Sequence, residues 1–103
     1  MSNRWGIPKE VEEHVKQRDK NCVYCGISFD ITGDSHKAKA GWEHIINDIR
    51  INGIENIALC CRSCNASKGA KTLTDWLTSN YCLTKGITKD SVAGVVKEYL
   101  AKL

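Results

Sequence analysis

No stretch of the 103-residue chain approaches the roughly 20 consecutive apolar residues that a membrane-spanning helix needs, so no membrane partner is expected. The N-terminal MSNRWGIPKEVEEH lacks the apolar run and the cleavage pattern of a secretory signal, which makes a cytoplasmic setting with reduced thiols the expectation. Internal repeats, low-complexity tracts and linkers are missing too, and this leaves one domain over residues 1–103. Acidic residues are absent from Asn56 to Thr74, where Arg62, Lys68 and Lys71 all stand. A locally positive segment attracts polyanions. The whole chain, at net +3 and a pI near 8.5, is only mildly basic.

Cysteine is what the chain has in excess, with six residues. A domain this short buries a modest core and often needs a staple. In a reducing compartment paired cysteines are more often metal ligands than disulfides. Cys22-Val-Tyr-Cys25 and Cys61-Arg-Ser-Cys64 are two C-x2-C pairs. Each spacing lets one tight turn aim both sulfurs at one point, and two such turns make a tetrahedral zinc site. Four thiolates leave no open coordination position, so this zinc is structural. Cys60 is an alternative to Cys61 as a C-x3-C partner of Cys64. On a strand the two neighbours face opposite sides, which makes Cys60 a core residue, as Cys82 is expected to be. The 35 residues between Cys25 and Cys61 exceed a compact zinc ribbon, so something is inserted between the knuckles.

Pro8 suits the first turn of a helix over residues 8–20, with Val11, Val15 and Arg18 at helical spacing. Residues 26–40 read as a loop, with Gly33 and Asp34 as turn residues. Residues 41–46 and 56–60 read as strands. A short helix follows from about Ser63 to Gly69. Thr72 and Asp75 form a capping-box pair that starts a third helix through Leu73, Trp76, Leu77 and Tyr81. Val92, Val95, Val96, Tyr99, Leu100 and Leu103 give a last amphipathic helix from near Thr88. These last two helices read as packing elements.

The order Cys-x2-Cys, Glu43-His44-Ile45, Asn56, Cys61-x2-Cys64-Asn65-x2-Lys68-Gly69 resembles the HNH endonucleases of the ββα-metal fold. The resemblance covers about residues 22–71, and 72–103 would be a helical extension. It implies an α+β fold: a small ββα-metal core with a four-cysteine zinc site, flanked by an N-terminal helix and two C-terminal helices. It implies a DNA endonuclease that nicks or cuts duplex DNA and leaves 5′-phosphate and 3′-hydroxyl ends. His44 would be the general base, with Glu43 and Asn65 holding a catalytic divalent ion. Asn56 would hold the loop that carries His44. Where many relatives have His, this chain has Asn65, and an oxygen-rich shell favours Mg²⁺ or Mn²⁺. The chemistry is consistent with the residue types: an imidazole near pKa 6.5 can be neutral and accept a proton from water. On a regular strand Glu43 and His44 point to opposite sides, so a shared task requires the strand to end there and bend.

Lys37, Lys39, Arg50, Arg62, Lys68 and Lys71, together with Arg4, are the candidate phosphate contacts, and such contacts position a duplex without reading sequence. Trp42 reads as core. No base-reading module stands out, and weak sequence specificity is expected. A monomer would nick, while a double-strand break needs a homodimer or two encounters. Phage packaging and restriction machinery are possible partners. The rival expectation is a non-catalytic zinc-binding module for nucleic acid or protein.

Overall fold

Pro8 opens the first helix. In the computed structural model, which describes residues 6–29, 39–46, 48 and 50–103, it is the N-cap of α1, Lys9–Arg18. Its carbonyl accepts the amides of Val11 and Glu12. Glu10 and Glu12 lie in the first turn of α1, Lys16 and Arg18 in the last, the sense that the helix dipole favours. Val15 is buried and packs with Ile7, Ile57 and Leu59. The end of α1 is latched to the sheet by charge. Arg18 chelates Asp19 at 2.7 and 2.9 Å and donates to the carbonyls of Ile54 and Ile57, while Asp19 accepts the Leu59 amide at 3.0 Å.

Two antiparallel strands, β1 (Ala40–His44) and β2 (Ile57–Cys61), form the sheet, with Trp42 opposite Leu59 and His44 opposite Ile57. Alternation sorts the side chains. Trp42 packs with Val11 and Leu59 on the α1 side. Cys60 and Ala58 join Tyr24, Trp76 and Val96 in the larger core on the other side. Helix α2 (Arg62–Lys68) follows β2 without a loop and stops at Gly69, whose φ of 51° suits a residue without a Cβ. These three elements are the expected ββα unit. The first knuckle, at Val23–Cys25, is closed by an isolated bridge between Asn21 and Ser28. Gly33 and Asp34 lie outside the described residues.

The C-terminal extension departs from expectation in two places. The single third helix is two, α3 (Leu73–Leu77) and α4 (Asn80–Lys85). Thr72 caps α3 as the sequence predicts, accepting the Asp75 amide, but Ser79 then accepts the Cys82 amide and starts a new helix. The last helix, α5 (Gly94–Ala101), begins six residues later than expected. Thr88 and Ser91 trade hydroxyl–amide hydrogen bonds of 2.8 and 3.1 Å, a local arrangement that competes with helix. Val92 is therefore buried from a turn, and Leu103 is exposed beyond the helix end. The Ala93 amide donates to the Val23 carbonyl at 2.8 Å, which ties the extension to the first knuckle.

Candidate functional site

The four sulfurs of Cys22, Cys25, Cys61 and Cys64 lie within 4.8 Å of one another. A tetrahedron of sulfurs around zinc at about 2.3 Å has edges of about 3.8 Å, and Cys25 Sγ is 3.7 Å from Cys61 Sγ. The cluster therefore fits zinc. Each knuckle is shaped by an amide donating to its first sulfur, Cys25 to Cys22 at 3.5 Å and Cys64 to Cys61 at 3.4 Å. Cys61 thus ends β2, caps α2 and supplies a ligand at once. A hydrogen bond from the Cys64 thiol holds Cys22 down at about 4, and the same bond followed by burial pushes Cys64 up. Cys60 faces the core with no exposure, and burial pushes its thiol far above the ordinary range, so it stays a neutral packing group.

A second layer sits on this cluster. Tyr81 Oη lies 3.3 Å from Cys64 Sγ and 2.9 Å from Ser63 Oγ. Tyr81 stacks on Trp76, and Trp76 Nε1 donates to Ser67 Oγ at 3.0 Å. The extension thereby packs against α2, which carries the sulfur of Cys64 and is capped by Cys61.

At the end of β1 the two acid–base residues diverge. Glu43 is 6% exposed, and its Oε2 accepts Tyr24 Oη at 2.6 Å and Lys68 Nζ at 3.0 Å. Burial, then the adjacent carboxylate, raises the Tyr24 phenol well above its usual range, so it stays a donor. Asn65 lies on the same side of β1, since a Cβ on Gly41 would meet its Nδ2 at 3.6 Å. It stands one helical turn before Lys68 on α2. Glu43 and Lys68 are thus paired with Asn65 on the same side of β1, and a carboxylate with an amide is a donor set for a hard divalent ion.

His44 sits opposite Ile57 and is 8% exposed. Its Nε2 is 2.8 Å from Asn52 Oδ1. The Asn52 side chain thereby fixes the orientation of the imidazole. The strand does end at His44, and Asn56 braces the turn beyond it. Asn56 Oδ1 accepts the Ile46 amide at 2.6 Å, and Nδ2 donates to the carbonyls of Ile46 and Ile51 at 3.2 and 3.0 Å.

The sequence model of the HNH endonuclease family matches residues 22–71. Over that segment the chain belongs to the HNH endonuclease family. No curated protein and no solved structure matches it. The HNH segment contains both knuckles, β1, β2 and α2, and ends just before α3.

The basic residues expected around the HNH core fall into different settings. Arg62, Lys39 and Lys71 are exposed, with Lys71 Nζ donating to the Ser67 carbonyl. Arg50 is exposed but chelates Asp48 at 2.8 and 3.0 Å, and its guanidinium holds that carboxyl down at about 2. Lys37 and Arg4 lie outside the described residues. Lys68 differs from the expectation of a surface phosphate contact: it is 1% exposed and spent on Glu43. Trp42 is half-buried against the α1 cluster, with Lys16 over its ring at 5.9 Å. Two residues escaped the sequence reading. Tyr24 looked like a spacer inside a zinc knuckle, and Asn52 like part of a polar connection. Only their contacts with Glu43 and His44 mark them.

A cavity of about 560 Å³ lies between α1 and α5, lined among others by His14, Glu55 and Glu98. It does not include Glu43, His44 or Asn65.

Proposed function

We propose that the chain is a metal-dependent DNA endonuclease in which His44 is the general base. Glu43 and Asn65 would hold the catalytic ion, Mg²⁺ or Mn²⁺, which would neutralise the phosphate and the departing 3′ oxygen. The observation that carries the reading is the local arrangement at the end of β1. His44 has one ring nitrogen oriented by Asn52, the turn beyond it is braced by Asn56, and Glu43 and Asn65 face each other's element across β1 and α2. Held in place by Asn52, the imidazole of His44 would accept the proton of the attacking water. Asn52 orients the imidazole and Asn56 braces the turn, so both are positioning residues. Exposed Arg62, Lys39 and Lys71, with Arg50 and Lys37, would hold the duplex through its phosphates. One such site cuts one strand, leaving 5′-phosphate and 3′-hydroxyl ends, and a monomer nicks. A cytoplasmic role in phage DNA packaging or restriction fits an enzyme of this kind.

A second reading is a zinc-stapled module that binds nucleic acid without cutting it. The burial of Glu43 beneath Tyr24 and Lys68 favours it, because the carboxylate is already neutralised. Supercoiled plasmid separates the two. The nuclease reading expects conversion to nicked circles with Mg²⁺ or Mn²⁺, and a loss of at least about 10²-fold in His44→Ala, the scale of general-base catalysis. Plasmid binding without nicking under any divalent ion would establish the second reading instead.

A further inference from the structure

Lys68 is the least expected residue of the site. A lysine that is 1% exposed is rare unless it is paired, and its ammonium is 3.0 Å from the one carboxylate oxygen that also accepts Tyr24. We infer that Lys68 is a tethered, displaceable cation: it neutralises Glu43 in the resting protein, and a divalent ion gains Glu43 only by expelling it. The inference rests on the reading of Glu43 as a ligand of that ion.

The physical case has three parts. A buried carboxylate needs a compensating charge, and Lys68 supplies it when no metal is there. A divalent ion at bonding distance from Glu43 would stand beside the ammonium on the same carboxylate, and like charges that close in a poorly solvated site repel strongly. Lys68 is also built to leave. It is the last residue of α2, directly before Gly69, where the helix ends, and its charge rides on a flexible four-carbon stem. Once displaced, the ammonium is one helical turn from Asn65 and suited to a phosphate oxygen of the bound strand. The cation exchanges one anion for another, so metal entry and substrate contact are coupled through a single side chain.

Mn²⁺ binding to the zinc-loaded full-length protein, followed by the loss of the free-ion EPR signal, tests this in Lys68→Met, Lys68→Arg, Glu43→Gln and the parent. Lys68→Met should bind Mn²⁺ at least about tenfold more tightly than the parent, a step of about 1.4 kcal/mol, and Lys68→Arg should bind no more tightly than the parent. Equal or weaker binding by Lys68→Met overturns the proposal. Undiminished binding by Glu43→Gln would overturn instead the assignment of Glu43 on which it rests. If Lys68→Met does not fold, the parent protein suffices. Its buried ammonium should give a protected Nζ resonance by NMR that moves to the position of an exposed lysine as Mg²⁺ is added. A Glu43 carboxylate resonance that responds to Mg²⁺ while Lys68 stays fixed overturns displacement. If neither responds, the ion site itself is misassigned.

Discussion

Glu43 illustrates how a charge is accommodated in so small a core. Two donors converge on one of its oxygens, and one of them is a phenol that must keep its proton to serve. Burial and the Glu43 charge raise the Tyr24 pKa well above the ordinary value of about 10. The folded state therefore binds this proton more tightly than the unfolded chain does. The resulting stabilisation is fully present below about pH 10 and is lost as the pH rises through the elevated folded value. Alkaline titration followed by phenolate absorbance should show one tyrosine that ionises only together with unfolding, and Tyr24→Phe should remove that step. An unchanged titration of Tyr24→Phe would show that the phenol is not held this way. At this scale the sequence was legible only where a residue type announced its chemistry. Cys22, Cys25, Cys61 and Cys64 could be singled out from their spacing, and Glu43, His44, Asn56 and Asn65 from the resemblance to HNH endonucleases. Tyr24 and Asn52 could not, because each is made relevant by a contact across 19 or 8 positions. Lys68 was singled out for its charge, but burial depends on what packs over it, and no local pattern reports that.

Among the elements, β1, β2 and α2 followed from period and punctuation, and each fell within two residues of its expected bounds. The extension did not, because hydroxyls at Ser79, Thr88 and Ser91 capture amides that an apolar stripe would assign to helix. The extension is also more than a packing layer. Through Tyr81, α4 places a hydroxyl 3.3 Å from Cys64 Sγ. With zinc bound, that hydroxyl donates to a coordinated thiolate, and outer-shell bonds of this kind are worth about 10–100-fold in metal affinity. Tyr81→Phe should therefore release zinc to a colorimetric chelator about tenfold faster than the parent. The stack on Trp76 survives that substitution, so a matching release rate would place Tyr81 among the merely structural residues.

At the scale of the whole molecule, the sulfur cluster brings together two knuckles far apart in the chain. A cross-link closing a loop of this length removes chain entropy worth about 4 kcal/mol by analogy with a disulfide, against a typical domain stability of about 5–15 kcal/mol. Zinc should thus be a condition of folding rather than an ornament. Circular dichroism should show loss of the helical signal on chelation and its return with Zn²⁺, and Cys25→Ser should behave as the chelated protein does. A melting curve for Cys25→Ser that overlays the parent would refute the staple.

That staple has a corollary for insertions. The sulfurs that bracket the insert between the knuckles lie together, so once they share an ion the insert's length would enter the free energy only logarithmically: doubling such a loop costs about 0.6 kcal/mol. Insertions ahead of β1 should therefore carry little thermodynamic penalty and leave the acid, the imidazole and the amide where they are.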